Sequence, residues 1–419
     1  METNPREAKG RELATRGNIK HVSEARYAVP SLSGISQGYV VDLVDSRCTC
    51  PDYELRGGTC LHQHAVMYWL AWERDVAADG VVTETATVVV KRQTYRPSEG
   101  WSTYNAASTH EKERVEVLLK SLCDGIEQPV RAAGTPGRKP LPVGDAVFGA
   151  AMKVLTTFSG RRASTEIRDC AERGQIANAM HYNSVFRTLE NPATTAILTR
   201  LIEESAAPLA ELENAAGQFA TDSTGFSTAV YERYFSVKHQ KVKSTHPWVK
   251  LHATVGTLTN VVTAVKVSDE ADCPVMAELA VTTARRFKMR EMSGDKAYLS
   301  TKNLEAIDAL GATAFIPFKI NSVGNSKSEL WRRAFCLFML RREEFAKHYH
   351  RRSNVETTFW MIKSKFGSAV RSKLATAQVN EVLCKVLLHN LTCLVHAVEE
   401  HEIEVEFWKS ALALMAVAS

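Results

Sequence analysis

The rhythm of apolar and polar positions changes several times along the chain. Met1–Lys20 is polar and predicts a loose tail. Tyr27–Asp45 alternates apolar and polar residues around Ser31–Gly38, the period expected of two short strands joined by a turn. Cys48–Cys60 is loop-like, Cys60–Glu73 has helical spacing, and Asp75–Glu84 reads as a boundary. Val88–Gly100 reads as a strand running into a polar linker. Ser108–Cys123 predicts a helix capped by Ser108 or Thr109, with Glu111 in its first turn. Ala132–Val143 is a basic, Gly/Pro-rich linker. Gly144–Leu212 is helix-rich, with breaks near Phe158–Ala163 and Asn191–Ala193. From Gly217 the pattern becomes one of strands: Gly217–Thr221 leading into Asp222, then Val249–Thr257 and Val261–Val267 joined by Leu258–Asn260. Asp272–Phe287 is helical, Met289–Gly294 a strand, Lys302–Leu310 a helix and Ala312–Phe318 a strand. After a loop at Ile320–Lys327, the chain is helical and basic from Leu330 onward.

Three strands, then helix, strand, helix, strand and helix, make a mixed α/β order. The chain has 419 residues, enough for two or three domains with at least one sizeable core. Its 45% hydrophobic and 24% charged residues exclude disordered and fibrous classes. The longest apolar stretch, Val382–Val398, is interrupted by Lys385, His389, Asn390 and His396, so no membrane partner is expected. The N-terminal residues have no apolar core of a secretory signal, which predicts a reducing compartment in which the nine cysteines are mostly not disulfides. Net charge is only +5, but Trp331–Ala375 carries eleven Lys or Arg against three Asp or Glu. Such a block is either a solvated helix face or the footprint of a polyanion partner.

Four metal-ligating side chains lie close together: Cys48 and Cys50, nine residues, then Cys60 and His62. Three thiolates and an imidazole make a closed tetrahedral zinc site, with no open position for a substrate. His64 is an alternative fourth ligand. The surrounding run, YVVDL, then CTCPDY, then CLHQHAV opening a helix, resembles a SWIM zinc finger over Ser31–Asp75 and favours His62. That resemblance implies structural Zn²⁺ and a role in DNA or protein binding.

Asp222 and Asp295 each end a predicted strand, and Glu356 lies on the basic helix. A lone Asp at a strand end is a turn former as often as a catalyst. Strand ends of an α/β sheet are, however, where ligands bind, and three carboxylates suit two Mg²⁺ ions. Tyr349, Arg352, Glu356 and Lys363 are separated by two, three and six residues. On a helix Arg352, Glu356 and Lys363 share one face, either as a surface ion pair worth about a few tenths of a kcal/mol or as a metal ligand beside a phosphate backbone.

That spacing resembles the Tyr-Arg-Glu-Lys signature of DDE transposases of the bacterial insertion-sequence type, over roughly Ala133–Ala397. The resemblance implies a ribonuclease-H-like catalytic core with Asp222, Asp295 and Glu356 catalytic and holding Mg²⁺ (or Mn²⁺). It implies that water attacks at the transposon end, freeing a 3′-hydroxyl that then attacks target DNA. Tyr349, Arg352 and Lys363 would contact DNA. Lys365, Arg371 and Lys373 continue the basic face towards phosphates. The 61 positions from Asp295 to Glu356 leave little room for the β-rich insertion some relatives carry. Trp248 fits strand packing better than base stacking. Gly137–Pro140 faintly resembles a minor-groove arm but reads more simply as a linker. Arg161, Arg162, Arg168 and Arg187 lie in the helical segment ahead of the core, where the family recognises DNA.

The expected organisation is a tail at 1–30, a zinc-bound ββα module at 31–75, a linker with a short helix at 76–143, a helical DNA-binding segment at 144–215, an α/β ribonuclease-H-like core at 216–397 and a C-terminal tail at 398–419. The partners implied are transposon-end and target DNA and a second copy of the chain, in a dimer or higher synaptic assembly. The location implied is the nucleoid-containing cytoplasm, or the nucleus in a eukaryote. A domesticated, inactive DNA-binding regulator and a stand-alone metal nuclease are the rival functions.

Overall fold

The computed structural model describes residues 5–15, 18–23, 26–31, 38–43, 45, 47–56, 59–70, 72–76, 82–86, 101–130, 140–228, 248–319, 322–324 and 326–408. The chain divides into two compact units, Met1–Arg96 and Pro97–Ser419.

The first unit holds an antiparallel four-stranded sheet in the order β1 (Lys20–Ser23), β2 (Arg26–Val29), β3 (Tyr39–Asp42) and β4 (Arg47–Cys48). Three helices join it: α1 (Pro5–Thr15), α2 (Pro51–Arg56) and α3 (Leu61–Leu70). The segment read as a tail is therefore helical, because Leu13 and Ala14 have an apolar partner in α3. Gly10 permits that close approach: a Cβ there would lie 2.5 Å from Cβ of His64 and 2.9 Å from the Leu61 carbonyl. The boundary at Asp75–Glu84 falls on an antiparallel hairpin, β5 (Trp72–Val76) and β6 (Val82–Ala86). The strand expected at Val88–Gly100 lies outside the described residues.

The second unit starts with seven helices: α4 (Trp101–Thr109), α5 (Glu111–Asp124), α6 (Val143–Leu155), α7 (Gly160–Glu172), α8 (Tyr182–Glu190), α9 (Pro192–Ala206) and α10 (Ala210–Ala216). Ser108 and Thr109 end α4, and His110 rather than either of them is the cap residue of α5. Asn191 caps α9 by accepting from the Ala193 amide at 3.0 Å, with Pro192 at the first helical position, where its missing N–H costs nothing. Gly217, at φ 66°, ends α10 in the left-handed conformation and turns the chain into the sheet.

That sheet has the order β11-β10-β7-β8-β9. Strands β7 (Gln218–Ser227), β8 (Trp248–Gly256) and β9 (Val262–Val267) form an antiparallel meander. Strands β10 (Glu291–Gly294) and β11 (Thr313–Phe315) continue it parallel to β7. The connections are α11 (Asp272–Ala284), before β10, and α12 (Thr301–Ala309), before β11. The chain then runs through α13 (Glu329–Leu340), α14 (Arg342–Tyr349), α15 (Ser353–Phe366) and α16 (Ala375–His401). Helix α11 packs on one face of the sheet; α15 and α16 pack on the other.

Helix α16 is the centre of this unit. By length and composition it could cross a membrane, but 89% of its apolar window is buried inside the fold. One apolar cluster extends from Ala107 to Ala397, so the helices before the sheet share a core with it. The polar interruptions that distinguish α16 from a span fasten it. Asn390 donates to the carbonyls of Val262 (2.8 Å) and Ile202 (3.2 Å) and accepts from the Val262 amide (2.8 Å). His389 Nε2 lies 2.9 Å from the Asn260 carbonyl.

Candidate functional site

Two clusters of chemically active side chains emerge, one in each unit. In the first, Cys48 follows β3 in a tight antiparallel return, Cys50 precedes α2, and Cys60 and His62 open α3. Their ligand atoms all lie within 4.8 Å of one another, and all four residues are buried. A zinc tetrahedron with ~2.3 Å metal–sulfur bonds has edges of about 3.8 Å, so only small adjustments separate this arrangement from a loaded site. The Tyr53 amide donates to Cys50 Sγ at 3.4 Å, and the Tyr39 ring lies 4.7 Å from that of His62. Cys60 is pulled well below the usual thiol range, first by a hydrogen bond from Cys48 and then with help from His62. Cys48, the donor, is pushed correspondingly up. A thiolate is thus already favoured among these donors, which is what a metal needs. His64 is not part of the cluster; it packs against α1 at Gly10.

In the second unit Asp222 lies in the middle of β7, not at its end. Ser223–Ser227 continue the strand because they pair with β8 in unbroken register, from Asp222 opposite Ala253 to Ser227 opposite Trp248. The neighbouring β10 does stop here. Its last rung pairs Gly294 with Thr221, which sets Asp295 beside Asp222 one residue beyond the parallel ladder. Asp295 also does what a turn-forming Asp does, accepting from the Ala297 amide to cap a short 3₁₀ turn at Lys296–Tyr298.

The third carboxylate arrives from α15. The basic segment is not one helix: α14 ends at Tyr349, a 3₁₀ turn covers His350–Arg352, and α15 begins at Ser353. From that break Arg352 reaches two carboxylates, donating to Asp222 Oδ2 at 2.5 Å and to Glu356 Oε1. Burial raises the Asp222 pKa; the Ser223 amide (2.8 Å) and Arg352 oppose this, and the charges of Asp295 and Glu356 add to it. Asp222 therefore feels both other acids at one end of the β7–β10 ladder, with the Arg352 guanidinium bridging it to Glu356. Glu356 remains more than half exposed, whereas Asp222 is largely covered.

Tyr349 borders the same place, its ring 5.9 Å from the Arg352 guanidinium carbon, and its pKa is raised by burial. Lys363 does not stand free: Nζ donates to Thr224 Oγ1 at 2.6 Å and lies 5.4 Å from the Phe226 ring centre, and burial lowers its pKa. Lys365, expected on the phosphate-facing side, is held instead by Glu111 at 2.5 Å, because the start of α5 and His396 form an acidic and imidazole pocket around it. Arg371 and Lys373 are exposed beyond α15. Trp248, expected in packing, is 55% exposed and rests its ring on Gly225, where a Cβ would come within 3.0 Å. Arg161, Arg162, Arg168 and Arg187 are solvent-facing on α7 and α8. The basic arm at 137–139 lies outside the described residues.

Sequence reasoning missed the groups under the opposite face of β7. Asp272, at the start of α11, lies 2.9 Å from Lys250 Nζ and 3.4 Å from His252 Nδ1. Tyr298 is fully buried, and its hydroxyl proton is held by burial and by the negative charge of Asp272 and Asp222. The available signal was the alternation of Lys250 and His252 with Val249, Leu251 and Ala253, which put two basic residues on one face of a buried strand.

Two family models match parts of the chain, one of them the transposase DDE domain. Residues 215–391 match the family model of that name, and residues 39–68 match the model of the SWIM zinc finger. The first segment contains Asp222, Asp295 and Glu356, and the second contains Cys48, Cys50, Cys60 and His62. The chain is also similar to a solved piggyBac transposase, imaged by cryo-electron microscopy as a synaptic complex with hairpin DNA. That similarity is 9% in identity with a TM-score of 0.34, over 76% of this chain and 79% of the other. No curated protein matches the chain.

Proposed function

We propose that the protein is a DNA transposase of the DDE type, and that Asp222, Asp295 and Glu356 are its catalytic carboxylates. One observation carries the reading: the register Gly294–Thr221 and the reach of Arg352 gather three acids, from two strands and a helix, at the central strands of a mixed sheet inside the matched transposase domain. The strand order, a three-stranded meander followed by two strands parallel to the first, supports a ribonuclease-H-like core. The spacing of Tyr349, Arg352, Glu356 and Lys363 supports the insertion-sequence type.

The acids are hard oxygen donors whose mutual repulsion a divalent cation relieves, so Asp222, Asp295 and Glu356 would hold Mg²⁺ or Mn²⁺. When bound, the metal supplies charge neutralisation for phosphoryl transfer. Arg352 orients Asp222 and Glu356 by donating to both. Tyr349 and Arg352 line the approach of the DNA backbone, and Lys363 braces α15 against β7 through Thr224. The reaction is attack by a water oxygen on a phosphodiester phosphorus at the transposon end, with the 3′-oxygen leaving and taking a proton. The freed 3′-hydroxyl then attacks a target phosphodiester and displaces its 3′-oxygen. Joining two ends calls for at least two copies of the chain. The zinc finger, held by Cys48, Cys50, Cys60 and His62, contributes to recognition of DNA or of a partner copy.

The test is end cleavage of linear DNA carrying the gene's own flanks, with Mg²⁺, Ca²⁺ or no metal, by wild type and Glu356→Gln. Mg²⁺-dependent cuts at fixed flank positions, lost in the variant, are expected. Binding without cutting under every condition would mark a DNA-binding regulator. Cutting without positional preference, lost in the variant, would mark a nuclease.

A further inference from the structure

A cavity of about 310 Å³ lies between the helices that precede the sheet and the chain that follows α15. Its floor is apolar, formed by Phe186 and Leu189 of α8, and its rim carries Arg371 and Lys373. Lys153 also lines it, though it is only 5% exposed. The Lys153 ammonium makes no hydrogen bond among the described residues; its nearest carboxylate oxygen, Glu381 Oε2, is 3.6 Å away. Glu381 is already occupied, accepting from the amides of Arg371 (3.0 Å) and Ser372 (2.9 Å) and from the Ser372 hydroxyl (2.6 Å).

The N-terminus of α7 opens onto the same cavity through Ser159 and Gly160. No side chain caps it, and its first turn carries Arg161 and Arg162 and no acid, the charge sign that a helix dipole disfavours at this end. An anion beside these amides reverses that penalty. Gly160 lets the Phe186 ring lie over the helix start, since a Cβ there would come within 2.4 Å of Phe186 Cζ. Lys153 is balanced by Glu381, and Glu190 on the rim offsets one of Arg371 and Lys373, leaving an excess of about one positive charge. That suits a single phosphodiester better than a polyphosphate.

We propose that this cavity takes one unpaired nucleotide of a DNA strand, its base against Phe186 and Leu189 and its phosphate at Lys153, Arg371 and Lys373. The proposal rests on the transposase reading and deepens it by giving the core a second strand contact. Residues 368–370 pair with Ser227 at the end of β7, through Ser227 N to Ser368 O at 3.1 Å and Val370 N to Ser227 O at 2.8 Å. Ser227 is five residues along β7 from Asp222, about 16 Å at ~3.3 Å per residue. The chain that leads into the cavity rim at Arg371–Lys373 thus starts beside the far end of the strand that carries Asp222.

The experiment uses the full-length, zinc-loaded protein and fluorescence anisotropy with a labelled oligothymidine and a labelled duplex, together with unlabelled thymidine monophosphate as competitor. Phe186→Ala is expected to weaken oligothymidine binding about 5-fold or more, as loss of a stacking platform does, and duplex binding much less. Gly160→Ala should reproduce this by displacing the ring. Lys373→Gln, an exposed change that leaves the fold alone, should lower the salt dependence of oligothymidine binding by about one phosphate contact. The monophosphate should not displace the strand at equal nucleotide concentration. If wild type binds DNA and all three variants bind oligothymidine as it does, the cavity assignment is overturned while the transposase reading stands. Displacement by the monophosphate would overturn the strand in favour of a free nucleotide. If wild type binds no DNA, both fall together.

Discussion

The zinc-finger unit and the α/β unit bury very different amounts of apolar surface. The first gathers Leu13, Ile19, Tyr27, Val29, Val41, Ala65 and Val66 around three cysteines. The second buries a continuous cluster from Ala107 to Ala397, threaded by α16. Polar groups at the two centres consequently have different tasks. In the small unit Cys48, Cys50, Cys60 and His62 are the centre, and without metal they are clustered thiols that contribute little cohesion. In the large unit Asn390, His389 and Lys385 are inclusions in an apolar helix; they add little net burial but fix which strand and which residue α16 meets.

The largest effect should come from removing the metal. Binding of a structural zinc is worth about 10–16 kcal/mol, which exceeds what so small a core supplies by itself. Chelation, or Cys60→Ser, is expected to abolish the melting transition of the N-terminal unit and to make that unit sensitive to protease. The transition of the α/β unit should remain within about a degree, because none of its buried residues is a ligand. Calorimetry with and without chelator reads both at once. Simultaneous loss of the two transitions would show that the two units do not differ in their dependence on metal.

Next in size is Asn390→Ala. The side chain meets both the amide and the carbonyl of Val262, at 2.8 Å each, in the middle of the fold. Truncation leaves both groups buried and unpaired, at about 1–3 kcal/mol each. A loss of about 3 kcal/mol in unfolding free energy of the α/β unit is expected from urea titration, with no change in the zinc-finger unit. A loss below about 0.5 kcal/mol, the range of an ordinary surface change, would mean that α16 is placed by apolar packing alone.

How far these features could be read from the residues follows from the same contrast. The zinc ligands were legible because metal chelation uses a fixed spacing and a small set of residue types. The strand and helix order of the α/β unit was legible from periodicity, as were the Asn191–Ala193 break and the α3 helix. Helix α1 was not, because a short polar helix stabilised by one neighbour leaves little periodic trace. The apolar run puts Asp222 at a strand end; pairing with β8, a non-local fact, keeps the chain extended to Ser227. Spacing puts Lys365 on the face towards phosphates; its pairing with Glu111, 254 residues away in sequence, is a non-local fact. The gathering of Asp222, Asp295 and Glu356 depends on the β7–β10 register and on the Arg352 reach, neither of which spacing encodes.

The smallest effect, and the one that tests the role of buried polar groups most directly, is a pH slope. Lys385 is 1% exposed, donates to the carbonyls of Gly367 and Ala369 at 2.8 Å each, and lies 5.1 Å from the Phe226 ring centre. Burial lowers its pKa from 10.5 to about 8; Glu381 opposes this and Lys153, Arg371 and Lys363 assist it. Below pH 8 both the folded and the unfolded chain carry this proton, and the group adds no pH dependence. Between the folded and unfolded values the unfolded chain holds the proton and the folded chain has released it, so stability rises with pH, by at most about 1.4 kcal/mol per pH unit. Tyr298, whose pKa is pushed far above the tyrosine range by burial, acts in the opposite sense only above about pH 10. Burial also pushes up the thiols of Cys123, Cys170, Cys384 and Cys393, which acts in the opposite sense over the same range, so the Lys385 contribution is read as the difference between wild type and Lys385→Met in urea midpoints of the α/β unit from about pH 7 to 9.5. The slope with pH should be less positive in Lys385→Met than in wild type, whatever the variant's overall stability. Parallel profiles for the two proteins would show that the ammonium stays protonated in the fold, held by the two carbonyls and the aromatic face strongly enough to cancel its desolvation.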